Sequence, residues 1–356
     1  MIKKIALLIL FTIVLLIGIP AGIVGIESIF KTPSLKESSE KVVIKEKKEE
    51  STKVKDTSKD NVSIKVYYTK EKKILTLPIE EYIKLVVSSE MPASFSDEAL
   101  KAQSVAARSF LIPKVKSLGG TPCPKANGAD VCSDVHCQAF VPKEQRMKLW
   151  GAEADAKWKK VSSAVDETKS KVLTYNNEIA KYIKYFSTSG GKTEDSVEVF
   201  GTAQPYLKSV ATIEEKESPN YKTTETFKRE EVVSKVKAKY KDAKVDAKNI
   251  DKQMKITEKT AGGRVKSINI GGKVLTGTEV RSLFSLKSAD FTLGFDKASV
   301  VFYVKGYGHG VGMSQWGAHE MGKQGKNYTE ILKHYYTGIS IDDYKKYIKW
   351  FFGQNC

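Results

Sequence analysis

SSEMPASFSDEALKAQSVAARSFLI, Ser88 to Ile112, reads as the end of one helix, a tight turn and a second helix. The first helix is predicted from about Pro78, because proline suits the first helical turn. Ile79, Tyr82, Ile83, Val86 and Val87 then recur at helical spacing and make one apolar face. Met91-Pro92 ends that helix, since the residue before a proline is pushed out of the α region. Ser96 is placed to cap the second helix, with Asp97 and Glu98 in its positive first turn, and Pro113 closes it. Ala99, Ala102, Ala106 and Phe110 form a face suited to close packing. Lys101, Ser104 and Arg108 share another, which is either a solvated face or a strip that binds a polar polymer.

Glu90 stands at the junction of the two helices. The negative end of a helix disfavours a further negative charge there, and burial against Met91 and Phe95 would act in the same direction. A carboxyl group held protonated near neutral pH is a candidate general acid. The plainer reading is an exposed glutamate that ends a helix.

Working outward, the chain has 356 residues with 59 Lys+Arg against 42 Asp+Glu, a net charge of +17. Such a balance favours an anionic partner: nucleic acid, a membrane surface or a cell-wall polymer. The lysines are scattered and no nucleic-acid-binding motif accompanies them, so no nucleic acid is expected as a partner. Residues 1–4 carry Lys3 and Lys4, and residues 5–26 are free of charge and long enough to span a bilayer. The positive-inside rule puts residues 1–4 in the cytoplasm and the rest outside. A cleaved signal peptide is the rival, but no small-residue cleavage site follows the apolar run. Residues 27–61 are rich in Lys, Glu, Ser and Thr without patterned apolar positions and are expected to be a disordered stalk.

The folded part begins with a predicted hairpin over Ser63 to Leu77 that turns at Lys70-Glu71-Lys72. Lys148 to Ser163 is predicted to be one amphipathic helix. Val172 to Thr174 and Ile179 to Phe186 read as strands across an Asn176-Asn177 turn. Beyond Tyr206, Phe227 to Tyr240 reads as helix and Met254 to Leu275 as strands joined at Gly262-Gly263. The expected fold class is α+β: a helical catalytic layer on a mixed sheet. Residues 62–206 are its catalytic region, residues 207–300 an inserted β-rich subdomain, and residues 301–356 a Gly/His loop and C-terminal helix that complete it.

Three further stretches carry candidate chemistry. YFSTSGGKTE puts Ser187, Thr188 and Ser189 at a strand end before Gly190 and Gly191, where the backbone can bend sharply and approach a ligand. An ordinary Ser/Gly turn has the same composition. GYGHGVGMSQWGA has glycines at 306, 308, 310, 312 and 317, too many for a regular element, around His309. Ser314 as a nucleophile with His309 as base lacks both a GxSxG elbow and an orienting carboxylate. His309 is expected instead to orient a loop or contact sugar, and Gln315 and Trp316 suit carbohydrate, although Trp316 suits a core equally. Cys123, Cys132, His136 and Cys137 share one loop and can supply a tetrahedral zinc site. A Cys132–Cys137 disulfide is the alternative outside the cell.

Together, EEYIKLVVSSEMPASFSDEALKAQSVAARSF, YFSTSGGKTEDS from Tyr185 and GYGHGVGMSQWGA from Gly306 resemble the stage II sporulation protein D family, in the family's order. The resemblance implies a lytic transglycosylase that cuts peptidoglycan glycan strands during engulfment, with Glu90 as catalytic acid and no cofactor needed for the chemistry. It implies a substrate cleft built from Lys101, Arg108, Ser187, Thr188, Ser189, Gly190, Lys192, Tyr206, His309 and Gln315. A structural zinc held by His and Cys is implied for the clostridial type, although Cys123 stands where a histidine is usual. The implied partners are stage II sporulation proteins P and M. The implied location is a single-pass protein of the mother-cell membrane, facing the engulfment septum. A non-catalytic peptidoglycan-binding scaffold and a hydrolytic muramidase are the competing readings.

Overall fold

The computed structural model describes residues 62–134 and 136–352. The expected cytoplasmic N-terminus, anchor and stalk lie outside the described residues. Among the described residues no helix is long and apolar enough to cross a membrane.

The chain opens with β1 (Ser63–Tyr68) and β2 (Lys73–Pro78), an antiparallel hairpin that turns in the predicted place, with Lys72 in the left-handed region at its turn. Next come α1 (Ile79–Glu90) and α2 (Asp97–Leu111), then β3 (Val131–Cys132), which pairs in parallel with β1. Helices α3 (Lys143–Trp150) and α4 (Ala154–Glu167) lead into β4 (Lys171–Tyr175) and β5 (Glu178–Ile179). The β4–β5 turn has positive φ at both Asn176 (49°) and Asn177 (61°), the twist-compatible geometry that asparagine tolerates. After β6 (Tyr185–Phe186) and α5 (Ser196–Phe200) come β7 (Lys222–Lys228), α6 (Arg229–Lys239) and α7 (Ile250–Gln253). A meander of β8 (Met254–Lys259), β9 (Val265–Ile270) and β10 (Lys273–Thr276) follows, then α8 (Gly277–Phe284), β11 (Phe291–Phe295) and β12 (Ser299–Lys305). The chain returns through β13 (Met313–Ser314), α9 (Gln315–Lys323), α10 (Tyr328–Tyr335), β14 (Ser340–Asp343) and α11 (Lys345–Phe352).

The two expected helices form for the expected local reasons. Pro78 precedes the first turn of α1, and Met91 leaves the helix in extended geometry before Pro92 (φ −124°, ψ 145°). The Ser96 hydroxyl accepts from the Ala99 N–H and caps α2. Helix α2 is the centre of the first core: Leu100, Val105 and Leu111 have no measurable exposure, and α1, α4, α9, α10 and β4 pack around it. Burying each of the two leucines contributes about 1.5–3 kcal/mol.

The apolar interior forms two clusters. The first spans Ile64 to Leu207 and resumes at Val311, and the second is built from residues between Val232 and Val304. Phe227, Phe284, Phe291 and Phe302 stack edge to face or tilted inside or against the second cluster.

Three expectations are corrected. In place of one mixed sheet, the described residues hold five small sheets of two or three strands, so the fold is mixed α+β without a continuous sheet layer. The predicted helix over Lys148 to Ser163 is two helices, because Gly151 turns at φ 57°, ψ −131°, a region closed to side-chain-bearing residues. Phe227 lies in a strand, not in the helix that follows it, because strand β7 alternates exposed with partly buried residues as the edge partner of β12.

Candidate active site

Glu90 is the last residue of α1, half-buried, and three separate parts of the chain converge on its carboxyl group. The Ala139 N–H donates to Oε1 (3.3 Å), Gln315 Nε2 donates to Oε2 (3.4 Å), and the Tyr185 hydroxyl also favours the ionised form. Burial pushes the pKa up and outweighs these three donors, so the carboxyl lies above the usual glutamate range. No second carboxylate is among the groups that move it.

The support behind Glu90 is a buried polar chain. Gln138 Nε2 donates to the Tyr185 hydroxyl (3.0 Å) and to the Ala107 carbonyl (3.3 Å), while its Oε1 accepts from the Tyr82 hydroxyl (3.3 Å). Next to Glu90, the Ser89 hydroxyl accepts from the Val141 N–H (3.0 Å) and from Arg146 Nη2 (2.9 Å). The segment 138–146 thus runs along the acid and holds both sides of its helix end. Gln138 and Tyr185 had escaped the sequence reading: Tyr185 stood unremarked at the head of the YFSTSGG block, and Gln138 followed the last loop cysteine.

The Cys loop leads directly into this support. The Sγ atoms of Cys123 and Cys137 and a ring nitrogen of His136 all lie within 4.8 Å of one another. Cys132 Sγ lies 3.3 Å from His136 Nε2, and none of the three thiols is in a disulfide. Neighbouring donors around a tetrahedral zinc ion stand roughly 3.5–4 Å apart, so Cys123, His136 and Cys137 are near enough to share one ion, and Cys132, Asp134 and His136 form a second such trio through the same histidine. Cys137, Gln138 and Ala139 are consecutive, which joins the candidate metal loop to the tyrosine network and to Glu90.

The remaining expected cleft residues fall into two groups. Gln315 reaches Glu90, as described, and Ser187 is half-buried, its carbonyl accepting from the Trp316 N–H. Lys192 is exposed, and its carbonyl accepts from Ser189 Oγ and Arg264 Nη1. His309 is enclosed by Phe186 and Phe200, and its Nδ1 accepts from the Val311 N–H (3.0 Å). Burial holds its pKa down at about 3, so the ring is neutral and orients the loop.

The others are corrected to structural positions. Arg108 has no exposure at all: its guanidinium binds both carboxylate oxygens of Glu80 (2.6 and 3.1 Å) and the Lys171 carbonyl (2.9 Å). Lys101 is paired with Glu98 (2.9 Å) and Glu167 (2.7 Å), bridging α2 to α4. Thr188 and Ser189 are fully buried and bonded to Ser218 and to Lys192. Tyr206 is buried against Tyr175, its hydroxyl accepting from the Tyr182 N–H. Gly190 allows close packing, since a Cβ there would stand 2.4 Å from Asp290 Oδ2.

Glu215 lies outside all three motifs and had no local signal. Its Oε2 accepts from the Ser189 N–H (2.8 Å) and from Ser314 Oγ (2.9 Å), so it ties the second and third motif loops together. Ser314 in turn caps α9, whose first residue is Gln315. Burial pushes the Glu215 pKa up to about 8 against the pull of these donors. Gly317 makes room for it, since a Cβ there would meet Tyr335 Oη at 2.0 Å and Glu215 Oε1 at 2.8 Å. A 330 Å³ hollow lined by Glu80, Glu81, Lys84 and Asp166 lies at the opposite end of α1 from Glu90 and is occupied by ion pairs of its own lining.

Comparison with known proteins gives two matching family models: one described as Stage II sporulation protein, over residues 67–175, and a domain of unknown function, over residues 161–312. The chain is 40% identical to Stage II sporulation protein D of Bacillus subtilis (strain 168) over 282 residues, 79% of each chain. It is 39% identical to the protein of the same description from Bacillus amyloliquefaciens, with the same coverage. It is also 30% identical to a Bacillus subtilis protein described as Amidase enhancer, over 74% of this chain and 40% of that one.

Proposed function

The chain belongs to the stage II sporulation protein D family, and from that premise we propose that it is a lytic transglycosylase of peptidoglycan glycan strands in sporulation. The observation that carries the reading is the convergence of the 139 segment, Tyr185 and Gln315 on one half-buried carboxyl group of raised pKa.

In this mechanism protonated Glu90 gives its proton to the glycosidic oxygen between two sugars. The C1–O bond breaks as the C6 hydroxyl of the same muramyl residue attacks C1. The hydroxyl proton passes to the Glu90 carboxylate, restoring the acid, and the products are a free 4-hydroxyl and a 1,6-anhydro-muramyl end. A hydrolase would need a second carboxylate to activate water, whereas in this reading the C6 hydroxyl of the substrate takes the place of that water. The neutral acid form is favoured by burial, while Gln315, Tyr185 and the Ala139 N–H stabilise the carboxylate formed after the first proton transfer.

Cys123, Cys132, His136 and Cys137 would hold a structural zinc ion, which would supply no chemistry to the sugar and would brace the loop that carries Ala139 and Gln138. Residues 5–26 would anchor the protein in the cell membrane with the enzyme outside, where stage II sporulation proteins P and M are the proposed partners.

The test is digestion of purified glycan strands with product mass analysis. Fragments should end in 1,6-anhydro-N-acetylmuramic acid, about 18 mass units below hydrolytic ends. Glu90→Gln should lower the yield by about 10²–10⁴-fold with the fold retained. Reducing ends alone would make the protein a muramidase, and glycan binding without fragments would make it a scaffold.

A further inference from the structure

Arg146, unlike Arg108, Arg264 and Arg229, has no carboxylate partner among the described residues, and unlike Arg281 it has no backbone carbonyl either. Among the described residues Arg108 pairs with Glu80, Arg264 with Glu194 and Arg229 with Asp251, while Arg281 binds the Leu286 carbonyl just beyond its own helix. Arg146 has one described side-chain hydrogen bond, from Nη2 to Ser89 Oγ (2.9 Å), and its guanidinium faces the Trp150 ring at 5.7 Å. Its Nε is buried without a partner. Burial presses its pKa downward and no neighbouring charge opposes this. Enclosing a cation without a counter-charge is costly, and a buried donor left unpaired adds to the cost.

The position gives that cost a use. The Ser89 hydroxyl that Arg146 binds belongs to the residue before Glu90 and also accepts from the Val141 N–H, two positions from the Ala139 N–H that reaches Glu90. It is carried on α3, a helix with no buried residue, and the Gln145 Oε1 beside it accepts from the Tyr68 hydroxyl (3.3 Å). Arg146 is therefore tied to the helix end that carries Glu90, with one described side-chain bond and a guanidinium not satisfied by it. A planar guanidinium with free donors matches a carboxylate in geometry and charge. The muramyl residues of a glycan strand carry carboxylates, either on the lactyl group or on an attached peptide.

We propose that Arg146 is a substrate-binding residue that grips a muramyl-borne carboxylate beside the bond that Glu90 cuts. The proposal rests on the transglycosylase reading and adds an anion-specific contact to it. It also supplies the cleft cation that Lys101 and Arg108, held in internal ion pairs, do not.

The test measures binding by calorimetry with the full chain in detergent, carrying Glu90→Gln so that no strand is cut. Three ligands are compared: a muramyl tetrasaccharide with free lactyl carboxylates, the same with stem peptides, and the neutral N-acetylglucosamine tetramer. Adding Arg146→Ala should weaken binding of a carboxylate-bearing ligand roughly ten- to a hundredfold and leave the neutral tetramer unchanged. Arg146→Lys, which keeps the charge and loses the planar geometry, should fall between. Which muramyl ligand responds identifies the carboxylate. Equal affinity with and without Arg146, or equal losses on all three ligands, overturns the proposal alone. Failure of the Arg146-containing protein to bind any of the three overturns the glycan-cleft reading together with it.

Discussion

Gln315 Nε2 donates to Glu90 Oε2 at 3.4 Å, joining side chains 225 positions apart and bringing the third motif onto the first. This bond favours the carboxylate form of Glu90 and so opposes the upward push of burial. Gln315→Leu should slow strand cutting by roughly tenfold, the worth of one hydrogen bond to a charged group. The acid must be protonated to act, so losing a donor that stabilises its ionised form should move the alkaline limb of the pH–rate profile to higher pH. A limb that stays in place or moves to lower pH would show that Gln315 does not act through Glu90.

Glu215 predicts a signature in stability. Its folded pKa is raised to about 8, mainly by burial, above the ordinary glutamate value near 4.5. Between about pH 4.5 and 8 the folded state therefore holds a proton that the unfolded state has released, and stability should fall as pH rises, by at most about 1.4 kcal/mol per unit. Glu320 adds to the upward shift and Arg264 opposes it. Glu215→Gln should flatten this slope in denaturation curves measured across the window. A slope unchanged by the substitution would assign the dependence elsewhere.

The Arg108–Glu80 pair predicts a loss of stability, not of binding. Arg108→Ala or Glu80→Ala should destabilise the fold by about 3–5 kcal/mol, since each leaves its partner without a counter-charge. Lys101→Ala, which breaks partly exposed pairs, should cost about 1 kcal/mol or less. Chemical denaturation reads both. An Arg108→Ala protein of wild-type stability that no longer binds glycan would return Arg108 to the cleft.

The Cys loop couples metal to activity through its neighbours in sequence. Protein purified without added metal should contain about one equivalent of zinc by elemental analysis. A chelator should lower the melting temperature and the cutting rate together, because Cys137 is followed by Gln138 and Ala139, which hold Tyr185 and Glu90. Zinc-free protein that cuts at the full rate would remove the metal from the account.

The paired helices, the Ser96 cap, the stop at Met91-Pro92 and the Asn176-Asn177 turn were legible because each depends on residues within one or two turns of one another. Glu90 was legible for the same reason, as an acid at a helix end beside apolar residues. The face shared by Lys101 and Arg108 was also read correctly as a face, but spacing along one helix says nothing of what will cover it. Packing placed Glu80 and Glu167 there and turned two candidate cleft cations into ion pairs. Burial of Thr188 and Ser189, the network from Tyr82 through Gln138 to Tyr185, and the tie made by Glu215 between two loops all rest on long-range contacts. By itself the sequence determined the hairpin, the two capped helices and the acid that stands at their junction. Only the tertiary structure decided which polar groups meet that acid and which are spent inside the core, because burial and hydrogen-bond partners are properties of what packs across from a residue, and that neighbour is set by the whole chain.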